Sequence, residues 1–321
     1  MVCLTDTDVE SLPSSKSAPL QNGDHSQEHT PATNHIKEQI IDSNPRILLS
    51  AHQLIVIVSS LLLHCLLLAK PDYLVLDEHH YLGLLKMFLR GEHHLGANPP
   101  GQVYLMRVLS WVLSLDRVLL EGDEGRQLLA LYYFRLGTAL CGSLIPIICF
   151  NLLRKLKVSP IVSSFGALLL LSNTALVTDS RFVSPYPLMM VTSLLALYHV
   201  TAITHEQSPT LYRYLCIGVL LGVSLTVVHV GIINFLFLSG FVLLSEWQRF
   251  GDIEKCEKEL WIRFGKIVGL VFFAPVVIYL AAWWFMVVTC TTSGTTDGHH
   301  SIAFQVNLLI FTITIIVWPS V

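Results

Sequence analysis

The run at residues 47–69, ILLSAHQLIVIVSSLLLHCLLLA, is followed after a short gap by Leu76-Asp77-Glu78-His79-His80-Tyr81. The first stretch is long enough to cross a bilayer, which takes about 20 predominantly apolar residues. The second places two adjacent carboxylates just past its end, at the depth of lipid head groups. Charge at or near bilayer depth is costly and is kept for function. A membrane helix delivering a paired acid to the interface is therefore the frame for the rest of the chain.

Composition agrees. The chain is 53% hydrophobic and 13% charged, with a mean hydropathy of +0.60. Soluble domains carry about 25% charged residues. Further apolar runs at 127–153, 159–177, 182–203, 211–244, 264–290 and 303–318 make this a polytopic, all-α membrane protein. The run 211–244 is too long for one helix and is expected to split near Val228-His229, giving seven to eight spans. The formal net charge of -3 gives no sign of nucleic-acid binding. None of the seven cysteines forms a CxxC pair, so neither a zinc site nor a disulfide framework is supported. Residues 1–44 lack Phe, Tyr and Trp and are rich in polar and acidic residues. They read as a disordered cytoplasmic tail, without the pattern of a cleaved signal peptide.

Basic residues orient the spans. Arg154, Lys155, Lys157, Arg213, Arg249, Lys255, Lys258, Arg263 and Lys266 fall on loops or span edges that share one side. The positive-inside rule makes that side cytoplasmic. Asp77, Glu78, Arg181 and the segment 293–305 then share the non-cytoplasmic side, lumen or exterior, and 70–126 is a loop on that side. Within it, Tyr81, Leu84, Leu85 and Phe88 recur at helical spacing. From Gln102 to Leu120 a single helix is expected, with Arg107, Ser110, Ser114 and Arg117 on one face, lying in the membrane interface.

Arg135 sits inside the second span, within Tyr132-Tyr133-Phe134-Arg135-Leu136-Gly137. A charge there needs a partner. Its planar fork suits a phosphate, and it equally suits a structural ion pair with Asp77 or Glu78. Spacing leaves both readings open. His79-His80 and His93-His94 match no standard zinc spacing. No metal site is expected. His52, His64, His199 and His229 fall inside spans and read as hydrogen-bonded packing residues.

Four segments together resemble the protein O-mannosyltransferases, multi-span glycosyltransferases of the GT-C type. They are Leu76-Asp77-Glu78-His79-His80-Tyr81 with Asn98-Pro99-Pro100; Asn173 through Phe182, ending in Ser180-Arg181-Phe182; Gly218-Val219-Leu220-Leu221-Gly222 with Val230-Gly231; and Ser293-Gly294-Thr295-Thr296-Asp297-Gly298, ending in Ala303-Phe304-Gln305. The resemblance implies a GT-C-type transmembrane domain over 45–305, with 306–321 as a truncated terminal apolar segment. It implies an endoplasmic-reticulum, multi-pass enzyme moving mannose, with inversion, from dolichyl-phosphate-mannose to Ser or Thr hydroxyls of lumenal proteins. No cofactor is implied beyond that lipid donor, and a related mannosyltransferase is the implied dimer partner.

Residue by residue, the resemblance makes Asp77 the catalytic Asp, the base for the acceptor hydroxyl, and Glu78 the neighbouring catalytic-site acid with a supporting role in the acceptor site. Arg135 would stabilise the departing dolichyl phosphate, with His80 and Arg181 as further substrate-binding groups. The chain also departs from the pattern. Asn98 replaces a His, Gly96 an acid, and Tyr186 an Asp before Pro187; a Lys after the prolines is absent, and another is replaced near His229. Two other readings stay open: a catalytically degenerate family member acting as a partner subunit, and a polytopic transporter whose Arg135 and lumenal acids mark an ion path.

Overall fold

The computed structural model describes residues 45–66, 68–93, 98–122, 124–206, 209–249, 258–290 and 292–293. The expectations for the tail 1–44, the terminal run and residues 294–305 lie outside these. Thirteen α-helical or π-helical segments carry the described chain, with one two-residue strand pair.

The first helix, α1 (Pro45–Cys65), has two faces. Val56, Ser60 and His64, spaced four apart, are fully buried. Leu54, Ile55, Val58 and Leu62 are exposed, as a lipid-facing stripe is. The buried stripe lies antiparallel on α5 (Glu124–Lys155). Ser60 donates to the Ser143 carbonyl at 2.8 Å and Gln53 to Asn151 Oδ1 at 3.4 Å, so residue numbers rise along one helix as they fall along the other.

Between them lie α2 (Leu76–Leu89), α3 (Gly101–Val112) and the short α4 (Asp116–Glu121). The expected single interface helix is broken after Val112, where Ser114 takes φ of 55°. The cause is local. Arg107 and Ser110 on α3 both bond the Asp116 carboxylate at the start of α4, so the polar face folds back on itself instead of facing water. Burial would raise the Asp116 carboxyl, but the bonds from Ser110 and Arg107 outweigh it and hold the group below its usual value. Val108, Trp111 and Val112 remain exposed on the other face of α3, which is the apolar side of an interfacial helix.

The remaining chain is a bundle. Helices α6 (Pro160–Leu171) and α7 (Thr174–Arg181) meet at 63°, with Asn173 capping α7 by accepting from Ala175 and Leu176. Then come α8 (Tyr186–His205), α9 (Leu211–Val227) and α10 (Gly231–Arg249). The chain does split at 228–230, as the sequence predicts. Helix α11 (Lys258–Val268) runs through a π-helical turn (Gly269–Phe273) into α12 (Ala274–Thr289).

By length and composition, four described helices are able to cross a membrane, or five if α6 and α7 form one span. Among the described residues this does not reach the expected seven to eight, and the apolar run 303–318 lies outside them. Helix α9 is shorter than the apolar run 211–244 that contains it, because the break at 228–230 cuts that run. The protein is a helical membrane protein.

Its two ends are chemically distinct. At one, Lys155 reaches Tyr198, Arg213 pairs with Glu206, Arg249 bonds Glu246 and the Ile203 carbonyl, and Arg263 bonds the Pro209 carbonyl. At the other, β1 (Glu92–His93) pairs in parallel with β2 (Thr292–Ser293), and Thr292 bonds the Gly91 carbonyl through both its N–H and its hydroxyl. The chain leaving α12 is thereby fastened beside the helix that carries Asp77.

The glycines at 218 and 222 have a packing reason. A Cβ on Gly218 would lie 2.0 Å from the Leu270 carbonyl oxygen, in the π turn. One on Gly222 would meet only the Ile278 side chain, at 2.8 Å. A backbone oxygen held in a helix cannot retreat, whereas a side chain can rotate. Gly218→Ala is therefore expected to lower stability by about 1–3 kcal/mol, the usual cost of overpacking, and Gly222→Ala by less. Thermal unfolding of the two variants in the same detergent checks this; equal melting temperatures would contradict it.

Candidate active site

The loop before α2 and the fourth turn of α5 meet around one guanidinium. Arg135 is 2% exposed and Glu78 is 0% exposed. Arg135 Nε donates to Glu78 Oε1 and Nη2 to Oε2, both at 2.7 Å. Nη1 donates to the carbonyls of Leu68 at 3.1 Å and Pro71 at 2.7 Å, and Nη2 also to Tyr73 at 3.0 Å. An arginine has five N–H donors, and these five bonds use them all. The Phe182 ring covers the guanidinium at 5.6 Å.

The carboxylate is equally committed. Glu78 Oε2 accepts from the Val75 N–H and Oε1 from the Val183 N–H, each at 3.1 Å. The first bond closes the N-terminus of α2, where Glu78 occupies the third helical position. An acid there also meets the positive end of the helix dipole. Irregular backbone at membrane depth is tolerated where protein satisfies its polar groups, and Arg135 does this for the carbonyls of Leu68, Pro71 and Tyr73.

All five Arg135 donors are in use in this structure, and both Glu78 oxygens accept bonds within the protein. Of the two readings left open for Arg135, the ion pair with Glu78 is the one built here. The sequence did not indicate Phe182 or Val183. Phe182 ends the Ser180-Arg181-Phe182 segment and Val183 follows it, and that segment's signal was resemblance rather than spacing.

Asp77 is one residue away and exposed. Its charge acts on Tyr81 and on Asp179. Burial, then the neighbouring Tyr186 and Asp77, pushes the Tyr81 phenol well above its usual value. Asn98 Nδ2 donates to the Tyr81 hydroxyl at 3.3 Å. Two departures from the family pattern, Asn98 and Tyr186, thus converge on Tyr81 beside Asp77. His80 is exposed and packs edge-on against Tyr81, ring centroids 5.4 Å apart. Arg181 ends α7, half-buried, one residue before the Phe182 that covers Arg135. Among the described residues no three His, Cys, Asp or Glu side chains group as metal ligands. The site is braced from α12, since the Tyr104 hydroxyl on α3 donates to the Ala282 carbonyl at 2.6 Å and its ring meets Phe88 and Phe285 edge-on.

A sequence model of the family described as "Dolichyl-phosphate-mannose-protein mannosyltransferase" matches residues 54–291. Among similar proteins, "Protein O-mannosyltransferase 1" of Drosophila melanogaster is 27% identical over 253 residues, covering 75% of this chain and 28% of its own length. "Protein O-mannosyl-transferase 1" of Mus musculus is 24% identical over 257 residues, covering 75% of this chain and 34% of its own. The chain therefore spans about a third or less of the relatives it matches. Among solved structures, the S. cerevisiae protein O-mannosyltransferase Pmt1-Pmt2 complex bound to the sugar donor superposes with a TM-score of 0.68 at 19% identity, over 78% of this chain and 35% of that one. That likeness establishes the GT-C-type fold.

Proposed function

Since the chain belongs to the dolichyl-phosphate-mannose-protein mannosyltransferase family, we propose that it transfers mannose from dolichyl-phosphate-mannose to Ser or Thr hydroxyls of lumenal proteins, in the endoplasmic-reticulum membrane and paired with a related mannosyltransferase. The observation that carries this reading is the division of labour between two adjacent acids. Glu78 is locked on Arg135, and Asp77 stands open at the same helix terminus.

In this reading Asp77 takes the proton from the acceptor hydroxyl, a poor nucleophile without a base. The hydroxyl oxygen bonds to the mannose anomeric carbon as that carbon's bond to the phosphate oxygen breaks. Dolichyl phosphate leaves with the electron pair, and configuration inverts. Glu78 and Arg135 are positioning residues that fix the helix start from which Asp77 projects. Arg181 is the cation assigned to the departing phosphate, and His80 supports the acceptor side by hydrogen bonding. No metal takes part.

The rival is a non-catalytic partner subunit, favoured by Asn98 and Tyr186 gathering at Tyr81. Microsomes lacking other family activity, expressing this chain alone or with a family member, separate the two when given labelled dolichyl-phosphate-mannose and a Ser/Thr peptide. The proposal predicts label on the peptide that is lost when Asp77 is changed. Label that appears only with the family member and survives that change establishes the partner role instead, and no label in either setting overturns the proposal.

A further inference from the structure

A cavity of about 480 Å³ lies between α2 and the start of α5, and neither Asp77 nor Tyr81 lines it. That volume is within the range of small-ligand sites, about 300–1,000 Å³. One wall is the face of α2 that carries His79, Gly83 and Lys86; the other is the first turns of α5, with Gln127 and Leu131. Leu82, Leu119 and Leu131 form a buried apolar floor. Lys86 Nζ donates to Gln127 Oε1 at 3.2 Å, which uses one of its three donors. Gln127 is itself held by donating to the Gly122 carbonyl at 2.9 Å. Asp72 also lines the cavity, and its carboxylate is paired with Lys70 at 3.5 Å on the exposed rim.

Depth and surface identify the occupant. The α5 span begins at Gly125, so Gln127 and Leu131 belong to its first two turns, where head groups meet the hydrocarbon. Tyr73, Leu74 and Leu128 at the mouth are exposed, and beyond them Leu129, Tyr132, Leu140 and Leu144 continue an exposed apolar face along α5. A cation and an imidazole inside, with apolar surface leading away from the mouth into the membrane, match a head group and its chains. A soluble anion would use only the inner half.

We propose that this cavity binds the head group of an anionic membrane phospholipid, its phosphate on Lys86 and His79 and its acyl chains along Leu128, Leu129 and Tyr132. The site is separate from the one around Asp77, and the proposal does not depend on mannosyl transfer. Because Tyr73 both lines the cavity and gives its carbonyl to Arg135, a bound lipid also braces the loop that holds the start of α2.

The test uses the full chain in phosphatidylcholine nanodiscs doped with a photoactivatable phosphatidylglycerol, with labelled peptides mapped after irradiation. Label is expected on residues 72–74 and on the first turns of α5, and a phosphatidylcholine probe of the same design should label them at least ten-fold less. Lys86→Gln should cut phosphatidylglycerol labelling at least ten-fold. Gly83→Phe should do the same by filling the space, since a Cβ at Gly83 meets nothing within 4 Å and leaving glycine favours the helix. The second variant decides the matter if the first fails to fold. Unchanged labelling in Gly83→Phe overturns the proposal. So does loss of label to millimolar inorganic phosphate, which marks a soluble-anion site, or displacement by dolichyl phosphate, which marks the donor's own site.

Discussion

Arg135→Ala is expected to destabilise the protein by about 3–5 kcal/mol, the cost of breaking a buried ion pair from one side. The substitution removes both bonds to Glu78 and leaves that carboxylate buried with only the Val75 and Val183 N–H groups. It also frees the carbonyls of Leu68, Pro71 and Tyr73; the Leu68 bond is the buried one, and a buried unsatisfied polar group costs about 1–3 kcal/mol. These penalties overlap, because the loop relaxes once its anchor is gone. Arg135→Lys should recover only part of the loss, since an ammonium has three donors where five are in use. Thermal unfolding in detergent, followed by size-exclusion fluorescence, reads both variants. A melting temperature for Arg135→Ala equal to wild type contradicts the ion-pair account.

Asp77→Asn is expected to do the reverse, leaving the fold intact while abolishing transfer. Asp77 is exposed in the first turn of α2, so losing its charge removes a favourable interaction with the helix dipole of only about 0.3–1 kcal/mol. If Asp77 takes the acceptor proton, an amide cannot replace it, and the rate should fall by about 10²–10⁴-fold, the usual contribution of a positioned base. Transfer from labelled donor to a Ser/Thr peptide, normalised to protein level, measures this. A wild-type rate removes Asp77 from the mechanism.

The elements that follow from local pattern were legible in the sequence. The apolar runs give the helices, and the excess length of 211–244 gives the break at 228–230. The acids at the start of α2 and the Arg inside a span were marked by the cost of charge near lipid. The partner choice was hidden, because it is made by a loop. Nothing in the spacing of Leu68, Pro71 and Tyr73 announces that three carbonyls will turn onto Arg135, or that Phe182 and Val183, far along the chain, will close over it. The interface helix failed for a similar reason. Arg107 and Ser110 fit the polar face of one long helix, and only the capture of Asp116 stops α3 at Val112.

The central claim is that Glu78 and Arg135 hold the start of α2 and leave donor binding to other groups. The most direct measurement is the affinity for dolichyl-phosphate-mannose of the double variant Glu78→Gln/Arg135→Gln, taken with its melting temperature. Two facing amides can bond to one another and strand no charge, so the double variant avoids the uncompensated buried charge that makes breaking the pair from one side costly. The account predicts a protein more stable than Arg135→Ala, with donor affinity changed less than ten-fold. A charge-assisted bond to the donor phosphate contributes about 1.5–3 kcal/mol, more than a ten-fold change in affinity. A double variant that folds like wild type yet loses that much affinity would place Arg135 on the phosphate and contradict the account.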